Sequence, residues 1–289
     1  MSAAPIELVA TCWTSAGDVA PLSPNEASPV DVFERIGAVA ATGWSGMGLA
    51  QDDLRQIADG PGFPAVRRAL TQAGLRHIDV ELLTDWWETG EARRTSDRVR
   101  ALLFGAADGL GAQHLKIGTA FGDALGSTGS LVAPLRELAD EAADHGLRLM
   151  LEPMPFSMIA SIPTGADLVR AVDRENCGLV VDAWHVFRAG TSLRDLAACL
   201  SPDILFGVEL NDADADPVGS LFEDTRDRRR LCGQGAFDLV GLIQMLAATG
   251  WAGPWGVEIL SDEHRAKDVT VALAEARETA LDVLTTALS

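Results

Sequence analysis

The sequence predicts a (β/α)8 TIM barrel, and three observations carry the prediction. Eight short apolar runs alternate with amphipathic stretches along 289 residues. Their repeat is about 30 to 40 residues, the size of a βα unit with a right-handed crossover. No glycine-rich phosphate loop follows the first run, where an open doubly wound sheet usually carries one; "TCWTSAGDVAP" is not of that kind. A barrel of this type typically takes about 250 residues. No low-complexity linker divides the chain, so one domain over 1–289 is expected.

The runs, in order, are "IELVATCW", "WSGMGLA", "LRHIDVELL", "QHLKIG", "LRLMLEPM", "CGLVVDAW", "ILFGVEL" and "GPWGVEIL". Between them lie helical patterns with their own punctuation. "SPVDVFERIGAVAATG" offers Ser28 as N-cap, Pro29 in the first turn and Gly43 as stop, with Val32, Ile36 and Val39 on one face. "FPAVRRALTQAG", "LVAPLRELADEAADHG" and "FDLVGLIQMLAATG" stop at Gly74, Gly146 and Gly250. A last helix is expected from Lys267 to Leu288.

Composition narrows the function. With 47% hydrophobic and 22% charged residues the chain reads as soluble and globular. It holds no apolar stretch of membrane-spanning length, and "MSAAPIELVATCW" lacks the basic-then-apolar order of a signal peptide. The four cysteines form no CxxC pair, which fits a reducing cytoplasm and argues against a zinc cluster or a disulfide framework. The formal charge of −19 repels phosphate backbones and anionic membranes, so neither nucleic acid nor a membrane is an expected partner.

In such a barrel the chemistry sits where strands end and βα loops begin. Strand five ends at Glu152, strand six at Asp182, strand seven at Glu209 and strand eight at Glu258, each acid in an apolar context. A lone acid of this kind is explained by a loop cap or an ion pair. Four on consecutive strands would repel one another in a confined mouth. A divalent cation removes that repulsion, because hard metals take carboxylate oxygens. Asp182 is therefore read as a ligand, with Glu152, Glu209 and Glu258 beside it. His185, three residues on, reads as a fifth ligand, a donor to a substrate hydroxyl, or a cap on a nearby helix.

These residues resemble the xylose isomerase-like TIM barrels, a superfamily of sugar and sugar-phosphate isomerases and epimerases. The resemblance rests on "LEP", on "DxxH" as Asp182 to His185, on "VELND", on a "GxGxxD" turn from Gly233 to Asp238, and on "GVE". It implies Glu152, Asp182, Glu209 and Glu258 as ligands of one metal ion. It also implies His185 and an arginine before the "GxGxxD" turn, Arg229 or Arg230, as substrate contacts. Many relatives carry histidine where this chain has Glu209. An all-carboxylate shell favours Mn²⁺ or Mg²⁺, with Co²⁺ as a further candidate, over zinc. Cys232 stands where relatives often have proline and reads as a small buried residue. Lys116, at the end of strand four, reads as a neutraliser of an enolate or as a partner of the acids. Trp13 reads as a flat face for a sugar or ring substrate, ahead of Trp86, Trp87 and Trp184. Glu81 reads as the end of strand three, or simply as sharing one strand face with Asp79.

The expected chemistry follows. A metal bound by a ketone and an adjacent hydroxyl acidifies the neighbouring carbon. Glu152 and Glu258, on different sides of the mouth, then take and return a proton through an enediolate. The expected enzyme is an isomerase or epimerase of a keto-sugar or polyol-derived ketone, its partner being that small carbohydrate or cyclic ketone. A lyase acting by β-elimination is the alternative. A sugar-binding subunit without catalysis and a nuclease of the apurinic-endonuclease kind stand further off. A homo-oligomer is allowed, with no interface legible.

Overall fold

The computed structural model describes residues 5–289; the first four residues of the predicted domain, and the start of the stretch read for a leader, lie outside them. All eight apolar runs are strands: β1 (Leu8–Ala10), β2 (Gly46–Ala50), β3 (His77–Leu83), β4 (His114–Ile117), β5 (Arg148–Leu151), β6 (Cys177–Asp182), β7 (Leu205–Leu210) and β8 (Trp255–Val257). They pair in parallel, in sequence order, and close when β8 pairs with β1. The helices are α1 (Cys12–Ser15), α2 (Val32–Ala41), α3 (Gln51–Asp59), α4 (Phe63–Gln72), α5 (Gly90–Leu110), α6 (Gly129–Asp144), α7 (Ile162–Val172), α8 (Ala183–Arg188), α9 (Leu193–Cys199), α10 (Leu221–Asp227), α11 (Leu239–Ala248), α12 (Asp262–Arg265) and α13 (Val269–Leu288). Among the described residues no helix is long and apolar enough to cross a membrane.

The period of two decides which side chains meet. In β5 and β6, Leu149, Leu151, Leu179 and Val181 join the large core under the helices. Met150 and Val180 point the other way and pack with Phe206 in a small cluster of their own. That cluster is the apolar plug of the barrel interior. Gly178 makes room for it, since a Cβ there would lie 2.5 Å from the Phe206 ring. One step further along each strand, the same inward parity delivers Glu152 and Asp182 to the mouth. Asp182 sits directly opposite Glu209 in the β6–β7 register. Glu152 and Glu258 stand one residue past their strands, yet their amides continue the ladder to Ile117 O at 2.9 Å and Leu210 O at 3.0 Å.

The seam between the first and last strands is fastened by side chains as well as by the ladder. Thr14 donates its hydroxyl to Val257 O at 2.8 Å and accepts from the Ile259 amide at 2.8 Å.

One predicted helix start moves. The N-cap of α2 is Asp31, whose carboxylate accepts from the Phe33 and Glu34 amides. Ser28 instead donates its hydroxyl to Ala16 O at 2.7 Å, and its amide donates to Asp53 at 2.8 Å. It ties the loop down, leaving Pro29 ahead of the helix. The predicted stops stand: Gly43, Gly74, Gly146 and Gly250 all take positive φ just beyond their helices.

Candidate active site

Four carboxylates from four consecutive strands converge at the mouth. Glu152, Asp182, Glu209 and Glu258 each offer an oxygen, and these oxygens lie within 4.8 Å of one another. All four residues are buried. Asp182 answers two demands at once. One oxygen accepts from the His185 amide at 3.0 Å, capping α8. The other accepts from Asn211 Nδ2 at 2.7 Å and from Arg229 Nη1 at 2.8 Å.

Two cations stand among the acids. Lys116 Nζ lies 2.6 Å from Glu209, 2.8 Å from Glu81 and 3.3 Å from Glu258. Arg229 Nη1 bridges Asp182 to Glu258, the latter at 2.9 Å, while its Nε and Nη2 donate to Thr225 Oγ1. His185 Nε2 is 3.3 Å from Glu152. A buried ion group is stable only when its charges balance. Here Glu81, Glu152, Asp182, Glu209 and Glu258 outnumber Lys116 and Arg229 by three.

The proton affinities carry that imbalance. Burial pushes Glu81 up to about 7, against the pull of Lys116 and with help from Glu258. Burial and Glu258 push Glu209 well above the carboxylate range. Burial opposes ionisation of Glu152 too, but Lys116 and His185 outweigh it and hold that carboxyl down at about 2. Burial acts against charge on Lys116, and the surrounding carboxylates reverse this and raise it. The group therefore divides into a firmly ionised carboxylate and two that resist ionisation. Glu209 Oε2, Asn211 Oδ1 and His185 Nδ1 are buried with no partner among the described residues. Oxygen-rich donors, surplus negative charge and unpaired buried atoms fit a hard divalent cation.

A cavity of about 310 Å³ opens over this floor. Its upper wall is aromatic: Phe121, Phe156 and Phe222 form a triangle with ring centres 5.2, 5.3 and 5.9 Å apart.

Comparison with known proteins places this geometry. The family model described as Xylose isomerase-like TIM barrel matches residues 36–284. The chain belongs to that family. A 3-dehydroshikimate dehydratase of Pseudomonas aeruginosa is 30% identical over 236 residues, covering 81% of this chain and 37% of the relative. An inosose isomerase of Bacillus licheniformis is 31% identical over 158 residues, 54% of this chain and 55% of the relative. The chain thus spans well under two thirds of the length of these curated relatives. Among solved structures, the IOLI protein with a zinc atom superposes with a TM-score of 0.83 at 19% identity, covering 98% of this chain and all of that one. That likeness is one of fold.

Within the xylose isomerase-like barrel the residues singled out by sequence are distributed as follows. Glu152, Asp182, His185, Glu209, Arg229, Glu258 and Lys116 all meet at the mouth. Trp13 lines the cavity. Arg230 points outward and pairs with Asp214 at 2.7 Å. Trp86 and Trp184 are buried packing residues, donating to Gly118 O and to Asp224. Cys232 is buried, and burial pushes its thiol far up, away from nucleophile chemistry. Sequence reasoning underweighted Glu81, because β3 runs two residues past it to Leu83 and hides it inside a strand. Asp79, on the same face, pairs at the other end of the barrel with His114. Asn211 and Thr225 were missed; "VELND" contained the first in plain sight.

Proposed function

We propose that this chain is a divalent-metal-dependent isomerase or epimerase of a keto-sugar or polyol-derived ketone. The observation that carries the reading is the convergence of Glu152, Asp182, Glu209 and Glu258 within 4.8 Å above an apolar plug. These four residues would hold the ion, and the oxygen-rich donor set favours Mn²⁺ or Mg²⁺. A cation there supplies polarisation of the substrate carbonyl and so acidifies the adjacent C–H.

The protein's own groups do the rest. Glu152 is held ionised by Lys116 and His185, which suits it to accept a proton. Glu258 is gripped by Arg229 on one oxygen and faces Lys116 with the other, at 2.9 and 3.3 Å. It comes from a different strand and approaches a bound ring from another side, ready to return a proton. Lys116 stabilises negative charge that develops on a substrate oxygen. His185, fixed by Asp182 through its amide, offers a ring nitrogen to a substrate hydroxyl.

A lyase is the second reading, favoured by the dehydratase relative that matches 81% of this chain. Both outcomes begin with the same proton abstraction, and the product separates them. Keto-sugars and cyclic ketones incubated with Mn²⁺-loaded protein in D₂O should give, by NMR, a product of unchanged formula with deuterium at the reacting carbon. A lighter product with a new double bond would reject the isomerase and establish the lyase.

A further inference from the structure

We infer that the mouth cavity takes an uncharged ring ketone bearing an aryl or alkyl substituent, and excludes substrates that carry a carboxylate or phosphate. The inference rests on the ketone-transforming reading of the same site and adds the class of substrate.

The charge argument comes first. The cationic residues that line the cavity are Lys116 and Arg229. Both are buried and both are already committed, Lys116 to three glutamates and Arg229 to Asp182, Glu258 and the Thr225 hydroxyl. A divalent ion would offset most of the floor's surplus, which is three negative charges when every carboxylate is ionised. The rim then adds Glu26 and Asp85. A carboxylate or phosphate entering past this rim meets a negative field, and the lysine and arginine that line the cavity among the described residues are already paired with carboxylates.

The apolar argument is independent. Leu22 is 62% exposed and Phe121 is 52% exposed, and both line this one cavity. Large apolar side chains left facing water at a concave mouth mark a binding surface. Leu22 is moreover held at φ +61°, in the left-handed region a branched side chain avoids, with its amide donating to Glu26 at 2.6 Å. The turn is built to present that leucine over the opening. In the same cavity, the Phe121–Phe156–Phe222 triangle reaches down to His185, whose ring centre is 6.0 Å from that of Phe156.

Two of the wall's hydroxyls are already engaged, although Gln51 and Thr84 also line it. The Thr119 hydroxyl is paired with Ser157 at 3.2 Å, and that of Thr225 is taken by Arg229. Hydroxyls on the side of the ring facing the phenylalanines would be desolvated without partners. An aryl or alkyl group there loses nothing and gains apolar contact. The polar face of the ring lies toward the acids and His185, the substituent toward Leu22 and Phe121.

The test uses the full chain loaded with Mn²⁺ and reads binding by calorimetry. Four probes are compared: phenyl and methyl 3-keto-β-D-glucopyranoside, 2-keto-myo-inositol and 3-dehydroshikimate. The phenyl glycoside should bind about tenfold or more tighter than the methyl one, the gain expected from burying several extra CH groups. The 3-dehydroshikimate carboxylate should show no binding in the micromolar range. Phe121→Ser and Leu22→Ser, both at exposed positions, should erase the phenyl-to-methyl ratio while Mn²⁺ affinity and thermal midpoint stay unchanged. Tight binding of 3-dehydroshikimate with intact metal-dependent turnover would overturn the inference alone. So would equal binding of the two glycosides, or a Phe121→Ser protein that changes oligomeric state by light scattering and keeps the ratio. Failure of every neutral ketone to bind the loaded protein would overturn both the inference and the reading beneath it.

Discussion

Glu152 and Glu258 are the residues on which the proposed chemistry turns, and glutamine is the substitution that isolates their charge. Glu152→Gln and Glu258→Gln keep volume and one carbonyl oxygen while removing the base. Each should lower kcat by at least ~100-fold, the scale of general acid–base catalysis, with the fold preserved by circular dichroism. A variant that turned over normally with metal bound would remove the two-carboxylate mechanism. Glu81 carries a different consequence. Its carboxyl ionises at an ordinary value of 4.5 when unfolded and at about 7 when folded, because burial outweighs Lys116. Below pH 4.5 both states hold the proton and stability is unaffected. Between 4.5 and 7 the unfolded state releases its proton first, so stability falls as pH rises. Chelator-treated protein should therefore lose thermal stability from pH 5 to 8, and Glu81→Gln should flatten that slope in a calorimetric series. The strand-end acids were legible because each closes an apolar run. Glu81 was legible only in part: it reads as a strand end, but the strand runs on to Leu83, and the shared face with Asp79 left its role open. The phenylalanine triangle was illegible altogether, its members standing at 121, 156 and 222 in separate segments.

Short helices do the aligning. Asp224 on α10 is buried and accepts from Trp184 Nε1 at 2.9 Å, Arg188 Nε at 3.0 Å and the Val218 amide at 2.8 Å. It clamps α10 to α8. The neighbours of Asp224 on α10 are Thr225, which holds Arg229, and the pocket residue Phe222 two positions earlier. Asp224→Ala strands a buried guanidinium and an indole N–H, and should cost about 3 kcal/mol in urea unfolding. Asp224→Asn keeps an acceptor, should cost less, and should raise KM more than it lowers kcat. A KM equal to that of the unaltered protein would show that the clamp serves stability alone. None of this was visible in the sequence, where residues 221–227 and 183–188 follow no long period. Helices as short as six and seven residues give too few turns for a pattern to declare itself. The longer helices were legible through their glycine stops. The start of α2 was misplaced, since Ser28 and Asp31 are both good caps and only the fold reveals that Ser28 is spent elsewhere.

At the scale of the molecule, the eight-fold alternation pointed to a parallel sheet covered on both faces, and the absence of a glycine-rich loop after the first strand favoured the closed barrel over an open doubly wound sheet. Closure also concentrates charge. Five buried carboxylates against two cations leave the mouth short of positive charge, so a cation bound there would stabilise the whole fold. Mn²⁺ at one hundred times its dissociation constant should add about 2.7 kcal/mol. In a chain of this size that raises the thermal midpoint by several degrees, roughly 2–4 °C per kcal/mol. Scanning calorimetry with and without chelator measures it. A midpoint indifferent to Mn²⁺, Mg²⁺ and Co²⁺ would mean that protons alone neutralise the site.

The Thr14 fastening has a consequence in time. It joins residues 243 positions apart, and Glu258 follows directly on the strand that it anchors. Contacts of such long range form late, after the chain between them has already lost its freedom. An unsealed barrel would hold β8 by β7 alone, through contacts such as the Glu258 amide to Leu210 O at 3.0 Å, and leave the edge that faces β1 open. The closed floor of four carboxylates is therefore finished only when the first and last strands meet, and on the proposed reading any proton transfer waits for that closure.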